Sequence, residues 1–145
     1  MILRLLAFAF AALLVPAQGI AQQPDIVVRG DAARTEIERI LNADNLDTNR
    51  LSPRDVVEII SGIERGRAPE DFWNAYQLHV RAWASLADAV DRAQGTQSES
   101  NLGEGMEEVE AAAQAIETTF NEVERIAGRY GARLPRPPVD TDSIA

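Results

Sequence analysis

The chain concentrates its aromatic side chains in one stretch of a predicted helix. Spaced at i, i+1, i+4, i+7 and i+11, they share one helical sector: Phe72, Trp73, Tyr76, His79 and Trp83. Such a sector could line a pocket for a flat ligand or a haem, with His79 as an axial ligand or a proton acceptor. It is also typical of a bundle core with a histidine at its rim. We favour the core, because no carboxylate lies three or four positions from His79 as in di-iron bundles.

A second candidate site is the loop 44–55, DNLDTNRLSPRD, between two predicted helices. It carries four candidate metal ligands: Asp44, Thr48, Ser52 and Asp55. Their spacing resembles, in part, the calcium-binding loop of EF-hand proteins, in which oxygen ligands surround a glycine turn. That resemblance covers twelve residues and implies weak Ca²⁺ binding. Three positions depart from the motif: Leu46 cannot be a ligand, Asn49 stands in place of the glycine, and Asp55 is one methylene shorter than the usual glutamate.

Turn and capping chemistry offers an alternative explanation of the same loop. Asn and Asp residues favour turns, and Ser52 is a good helix N-cap. Pro53 then occupies the first helical position, and Asp55 lies three residues after the cap. In this interpretation the polar side chains start a helix and bind no ion.

The composition argues against catalysis. The chain has no cysteine, no lysine and one histidine, and it lacks the nucleophile-elbow, phosphate-loop and HExxH motifs. A c-type haem attachment requires cysteine. We therefore predict no enzyme activity and no cofactor, although paired carboxylates are recognised by their spatial separation and not by sequence.

The charge distribution narrows the choice of partners. The formal net charge is −9, and residues 95–130 carry eight glutamates against two arginines. Such a surface repels phosphate backbones, so nucleic acid is not an expected partner. The acidic residues of the fourth predicted helix are also typical of an ordinary solvent-exposed helix face.

The amino-terminal residues predict export. Arg4 precedes an apolar run of about eleven residues, from Leu5 to Val15, which is too short to span a membrane. Small residues follow, and we expect cleavage after Ala21, with a cut after Gly19 as the other option. An exported domain without disulfides is ordinary in a bacterial periplasm. No later run is long enough to span a membrane, so we expect no membrane span after cleavage.

The remaining pattern is helical throughout. Apolar residues repeat every three or four positions in two long segments, about 69–94 and 104–130, separated by a glycine-bearing polar loop. Two shorter helices precede them, the first near 32–43 and the second running from Ser52 to Gly66. We predict an all-α fold, a small helical bundle in which the long helices form an antiparallel hairpin and the two N-terminal helices pack on it.

The predicted organisation has four parts. A cleaved signal peptide, 1–21, is followed by a flexible segment, 22–30, a single helical domain, 31–131, and an extended proline-rich tail, 132–145. Two functions are compatible with it. The first is a periplasmic accessory module that contacts another envelope protein or a second copy of itself, because the aromatic helix carries a broad apolar sector. The alternative is a weak Ca²⁺ or small-ligand binder that uses the 44–55 loop or the aromatic sector.

Overall fold

The computed structural model describes residues 24–95 and 99–136, and this part of the chain contains four α-helices and no strand. The helices follow one another in chain order: α1 Pro24–Asp44, α2 Pro53–Ser61, α3 Glu70–Gly95 and α4 Glu99–Arg129. This confirms the predicted all-α bundle. The predicted signal peptide and its cleavage site at Ala21 lie outside the described residues.

Helices α3 and α4 form the predicted antiparallel hairpin. With 26 and 31 residues they are about 39 Å and 46 Å long at 1.5 Å per residue. At one end the Tyr130 hydroxyl donates to Oδ1 of Asp71 over 2.9 Å. At the other, Nε of Arg92 donates to Oε2 of Glu108 over 3.2 Å. No helix within the described residues is both long enough and apolar enough to cross a membrane.

The core lies where α1 and α2 pack against the N-terminal half of α3 and the C-terminal half of α4. The largest fully buried side chains come from all four helices: Tyr76, Phe72, Ile37, Ile40, Leu41, Ile60, Val56 and Val123. Burying a large apolar side chain stabilises the folded state by about 1.5–3 kcal/mol, so this cluster is the main source of stability. It places the C-terminal end of α1 beside the middle of α3.

Helix α2 begins as the capping pattern predicts. Ser52 is the N-cap, its hydroxyl accepts the Asp55 N–H, and the Asp55 carboxylate accepts the Ser52 N–H over 3.0 Å. The predicted end at Gly66 is wrong, because α2 stops at Ser61 and Gly62 donates to the Ile59 carbonyl. Gly66 instead lies in the following turn, with a φ of +55° that favours glycine.

Two other helix boundaries differ from the sequence prediction. Helix α1 begins at Pro24, inside the segment 22–30 that we expected to be flexible, and proline suits a first helical position because it has no N–H to satisfy. Helix α4 begins at Glu99, five residues before the predicted start at about 104. A Cβ at Gly105 would lie 3.4 Å from the Cβ of Ala93, an ordinary van der Waals contact, so α4 already lies against α3 at this position.

Candidate functional site

A cavity of about 320 Å³ opens where all four helices meet the chain that follows α4. We call it the Asp44 cavity. Its apolar lining is Leu41, Leu46, Val56, Ala113, Ile116, Phe120 and Pro135. Its polar lining is Asp44, Asn45, Thr48, His79, Trp83 and Glu117. The lining is therefore largely apolar with a few convergent polar groups, as in most small-molecule sites.

Asp44 is the most unusual of these residues. It is the last residue of α1, and its side chain is only 7% exposed. Its Oδ1 accepts a hydrogen bond of 3.3 Å from the Tyr76 hydroxyl. Its Oδ2 lies 3.9 Å from Nε2 of His79, which is longer than a hydrogen bond. Asp44 thus has one satisfied oxygen and one oxygen without a hydrogen bond in the described part of the chain.

Oδ2 of Asp44 is not fully enclosed by the protein. Every fully enclosed side-chain nitrogen or oxygen in the described residues has a hydrogen-bond partner. Since Oδ2 has none, it cannot be fully enclosed, and the residue that carries it lines the cavity. An incoming hydrogen-bond donor can therefore reach a carboxyl oxygen that is otherwise shielded from bulk solvent.

His79 is held in one orientation by two hydrogen bonds. Its Nε2 accepts the Trp83 indole N–H over 3.2 Å, and its Nδ1 lies 3.1 Å from Oγ1 of Thr119. Oγ1 of Thr119 lies 2.8 Å from the Ala115 carbonyl oxygen, to which it donates, so Nδ1 carries the imidazole proton and donates to Oγ1. The Phe120 ring, with its centroid 5.1 Å from that of the imidazole, packs against one side.

Burial shifts the pKa values of Asp44 and His79 in opposite directions. It raises the pKa of Asp44 from 3.8 to about 7, although the Tyr76 hydrogen bond lowers this pKa slightly. It lowers the pKa of His79 from 6.5 to about 4. Burial, together with the charge of Asp44, also raises the pKa of Tyr76. At neutral pH the imidazole is therefore uncharged, and Asp44 is divided between its acid and its carboxylate.

The four predicted metal ligands divide between two places. Asp44 and Thr48 line the cavity, whereas Ser52 and Asp55 form the capping box of α2. Oδ2 of Asp55 accepts both the backbone N–H and the hydroxyl of Ser52. The described residues contain no group of three or more His, Asp or Glu side chains arranged to hold a metal ion. Calcium binding by this loop stays the alternative prediction from the sequence.

The aromatic sector also divides. Phe72 and Tyr76 are completely buried, with stacked rings 6.3 Å apart, and Trp73 packs on the same core. His79 and Trp83 reach the cavity, where they meet Asp44 from the loop. The two candidate sites of the sequence analysis are thus parts of one site.

The chain after α4 closes part of this site. Gly131, with a φ of +69°, ends the helix as predicted, and residues 132–136 are not helical. The Arg133 N–H donates to Oε1 of Glu38 over 3.0 Å, and the Asn45 side chain donates to the Arg136 carbonyl over 2.8 Å. Pro135 lies between these two contacts and lines the cavity, a role that the sequence did not suggest.

Other groups in the site carried no specific sequence signal. Thr119 orients the histidine, and nothing in its spacing marks it, whereas Glu117 was visible only as one of many acidic residues on α4. What the arrangement can do is hold a compact apolar body and offer acceptor oxygens to a donor on it. No family model, curated protein or solved structure is detectably similar to this chain.

Proposed function

We propose that this protein binds a small, largely apolar ligand in the Asp44 cavity. The observation that carries the proposal is a shielded carboxyl group, with one oxygen free of hydrogen bonds, that lines a largely apolar space of about 320 Å³. That volume lies at the lower end of the range for ligand pockets, about 300–1,000 Å³. Burying a polar group without a partner is costly, and a ligand that satisfies it offsets this cost.

The role is binding and not catalysis. Both ring nitrogens of His79 are engaged by Trp83 and Thr119, so neither is free to take a proton from a substrate. The chain also has no cysteine or lysine to act as a nucleophile. Asp44 and His79 accordingly shape and polarise the cavity.

The burial of the aromatic sector favours one of the two functions expected from the sequence. The contact hypothesis depended on an aromatic sector too broad for one core to cover. Within the chain, Phe72 and Tyr76 are fully buried, and His79 is 3% exposed. That sector is therefore largely used in the fold and in the cavity, which favours ligand binding over association with an envelope protein or a second copy.

The proposal includes export, because the segment before Gln22 has the pattern of a signal peptide. Mass spectrometry of the protein recovered from the periplasm of an expressing bacterium tests this part. A mature chain beginning at Gln22 supports it. An uncleaved chain retained in the cytoplasm overturns it.

A fragment screen with matched variants tests the binding function. Ala113 lines the cavity, and Ala111 lies on the same helix in a different groove; both are exposed. Ala113→Trp should fill the cavity, whereas Ala111→Trp should leave it open. Small apolar fragments are screened by saturation-transfer NMR, with circular dichroism to confirm that both variants are folded.

We expect fragments that bind the wild type and Ala111→Trp to lose binding to Ala113→Trp. Fragments that bind all three proteins equally occupy another surface and contradict the proposal. A complete absence of binding fragments overturns it as well.

A further inference from the structure

The chemistry of the Asp44 cavity restricts the polar group of its ligand. Two described helices bring titratable groups to Asp44 or to the cavity that it lines: Tyr76 and His79 from α3, and Glu117 from α4. Helix α2 presents Val56 there, and the segment after α4 presents Pro135. No arginine is among the residues that line the cavity. The side chains that line the cavity are therefore acidic or neutral, and none of them is a permanent cation.

His79 does not supply the missing charge or proton. Its Nε2, the ring nitrogen nearer to Asp44, accepts the Trp83 N–H. Its proton lies on Nδ1, bonded to Thr119. Because the ring is buried and neutral, Oδ2 of Asp44 has neither a cation nor a donor close enough to bond.

A ligand with a positively charged donor complements this arrangement. An ammonium group would give Oδ2 a charge-assisted hydrogen bond, and such bonds are about twice as strong as neutral ones. The indole of Trp83 and the ring of Phe120 line the same space, and aromatic faces also attract cations. An anion would meet Asp44 and Glu117 and a protein of net charge −9.

We propose that the ligand is a compact apolar amine, whose ammonium group pairs with Oδ2 of Asp44 while its hydrocarbon body fills the apolar part of the cavity. This inference rests on the proposed binding function. It commits to the chemical class, an organic cation with at least one N–H, and to one oxygen atom as its partner.

Three probes with the same hydrocarbon body test the class. 1-Adamantylmethylamine carries a cation, 1-adamantylmethanol a neutral hydroxyl and 1-adamantanecarboxylate an anion. None of them absorbs light near 295 nm. Trp83 lines the cavity, so in a Trp73→Phe background its fluorescence reports binding without interference from the second tryptophan.

We expect the amine to bind tightest, the alcohol about 10- to 100-fold more weakly, and the carboxylate not measurably. Asp44→Asn should lower the affinity for the amine by a similar factor and change the affinity for the alcohol by no more than about threefold. Asp47→Asn is the matched control, because Asp47 lies in the same loop and outside the cavity lining. It should change none of the three affinities.

The pH dependence provides a second test on the same proteins. The amine binds the carboxylate form of Asp44, and a carboxyl with a pKa of about 7 ionises mainly between pH 6 and pH 8. Its affinity should therefore rise about tenfold over this range in the wild type and stay constant in Asp44→Asn.

The outcomes separate the two proposals. If the alcohol or the carboxylate binds best, and Ala113→Trp abolishes that binding, the cavity is a ligand site and the amine inference is wrong. Equal binding of the amine by the wild type and Asp44→Asn also overturns the inference. If no adamantyl probe binds although fragments from the screen do, the inference fails and the binding function stands; if neither binds, both fail.

Discussion

Replacing Asp44 with asparagine should make the protein more stable at alkaline pH, although it removes a charged group. Burial raises the pKa of Asp44 from 3.8 to about 7, a shift of about three units. One unit corresponds to about 1.4 kcal/mol, so the ionised carboxyl destabilises the folded state by about 4 kcal/mol above pH 7. The asparagine carbonyl can still accept the Tyr76 hydrogen bond, and its amide has its own desolvation cost. We therefore expect a net gain of about 2–4 kcal/mol at pH 8.

The sign of the pH dependence follows from proton uptake. Between pH 4 and 7 the folded protein holds a proton on Asp44 that the unfolded chain has lost, so this residue makes the free energy of unfolding fall as pH rises. The pKa of His79 is lowered from 6.5 to about 4, so between those values the histidine makes the free energy of unfolding rise with pH. In the wild type the two effects oppose each other. Asp44→Asn should remove the fall and leave a rise with pH, to which His79 contributes.

Urea unfolding followed by circular dichroism at pH 4 and pH 8 measures this effect. At pH 4 the wild type and Asp44→Asn should differ by less than about 1 kcal/mol, because the folded wild type is protonated there. Asp47→Asn provides the control, since this loop carboxylate is 30% exposed. If Asp44→Asn is less stable than the wild type at pH 8, the native carboxylate has a stabilising partner, which contradicts the conclusion that Oδ2 makes no hydrogen bond within the protein.

Three further predictions concern the same region. Tyr76→Phe removes the hydroxyl that donates to Asp44 and should lower stability by about 1–3 kcal/mol at pH 8 and by less at pH 4, measured with the same urea assay. Ser52→Ala removes the N-cap of α2 and should cost about 1 kcal/mol in a thermal melt; an unchanged melting temperature would show that the cap is energetically neutral. Because Asp55 is engaged with Ser52, millimolar Ca²⁺ should leave the melting temperature unchanged, whereas a rise of several degrees that EDTA reverses would establish an ion site in the 44–55 loop.

Local chemistry made the helices of this fold predictable. The apolar residues of α3 and α4 repeat every three or four positions over many turns. The start of α2 at Ser52 and Pro53 depends on residues only three positions apart. Helix ends were less predictable where a helix includes glycine. Helix α4 begins five residues before the predicted start and so includes Gly103, although glycine has a low helix propensity.

The site was predictable only in pieces. Asp44 and His79 were each visible as a polar residue next to an apolar pattern, but they lie 35 positions apart and on different helices. Their meeting depends on how α1 packs on the hairpin, and no local spacing encodes that packing. Pro135 reaches the cavity because Arg133 and Arg136 are tied to α1 and to the loop after it, again through contacts between distant parts of the chain.

The most direct test of the central claim is to locate a bound amine by NMR. In a sample of the protein with 1-adamantylmethylamine, we expect intermolecular nuclear Overhauser effects from the adamantyl protons to the side chains of Ile116, Phe120 and Trp83, which line the Asp44 cavity. The Asp44 carboxyl carbon should shift at the same time, as its oxygen gains a cationic partner. Overhauser effects confined to residues outside the cavity, or an Asp44 signal that the amine leaves unchanged, would contradict the claim that this cavity is a ligand site built around Asp44.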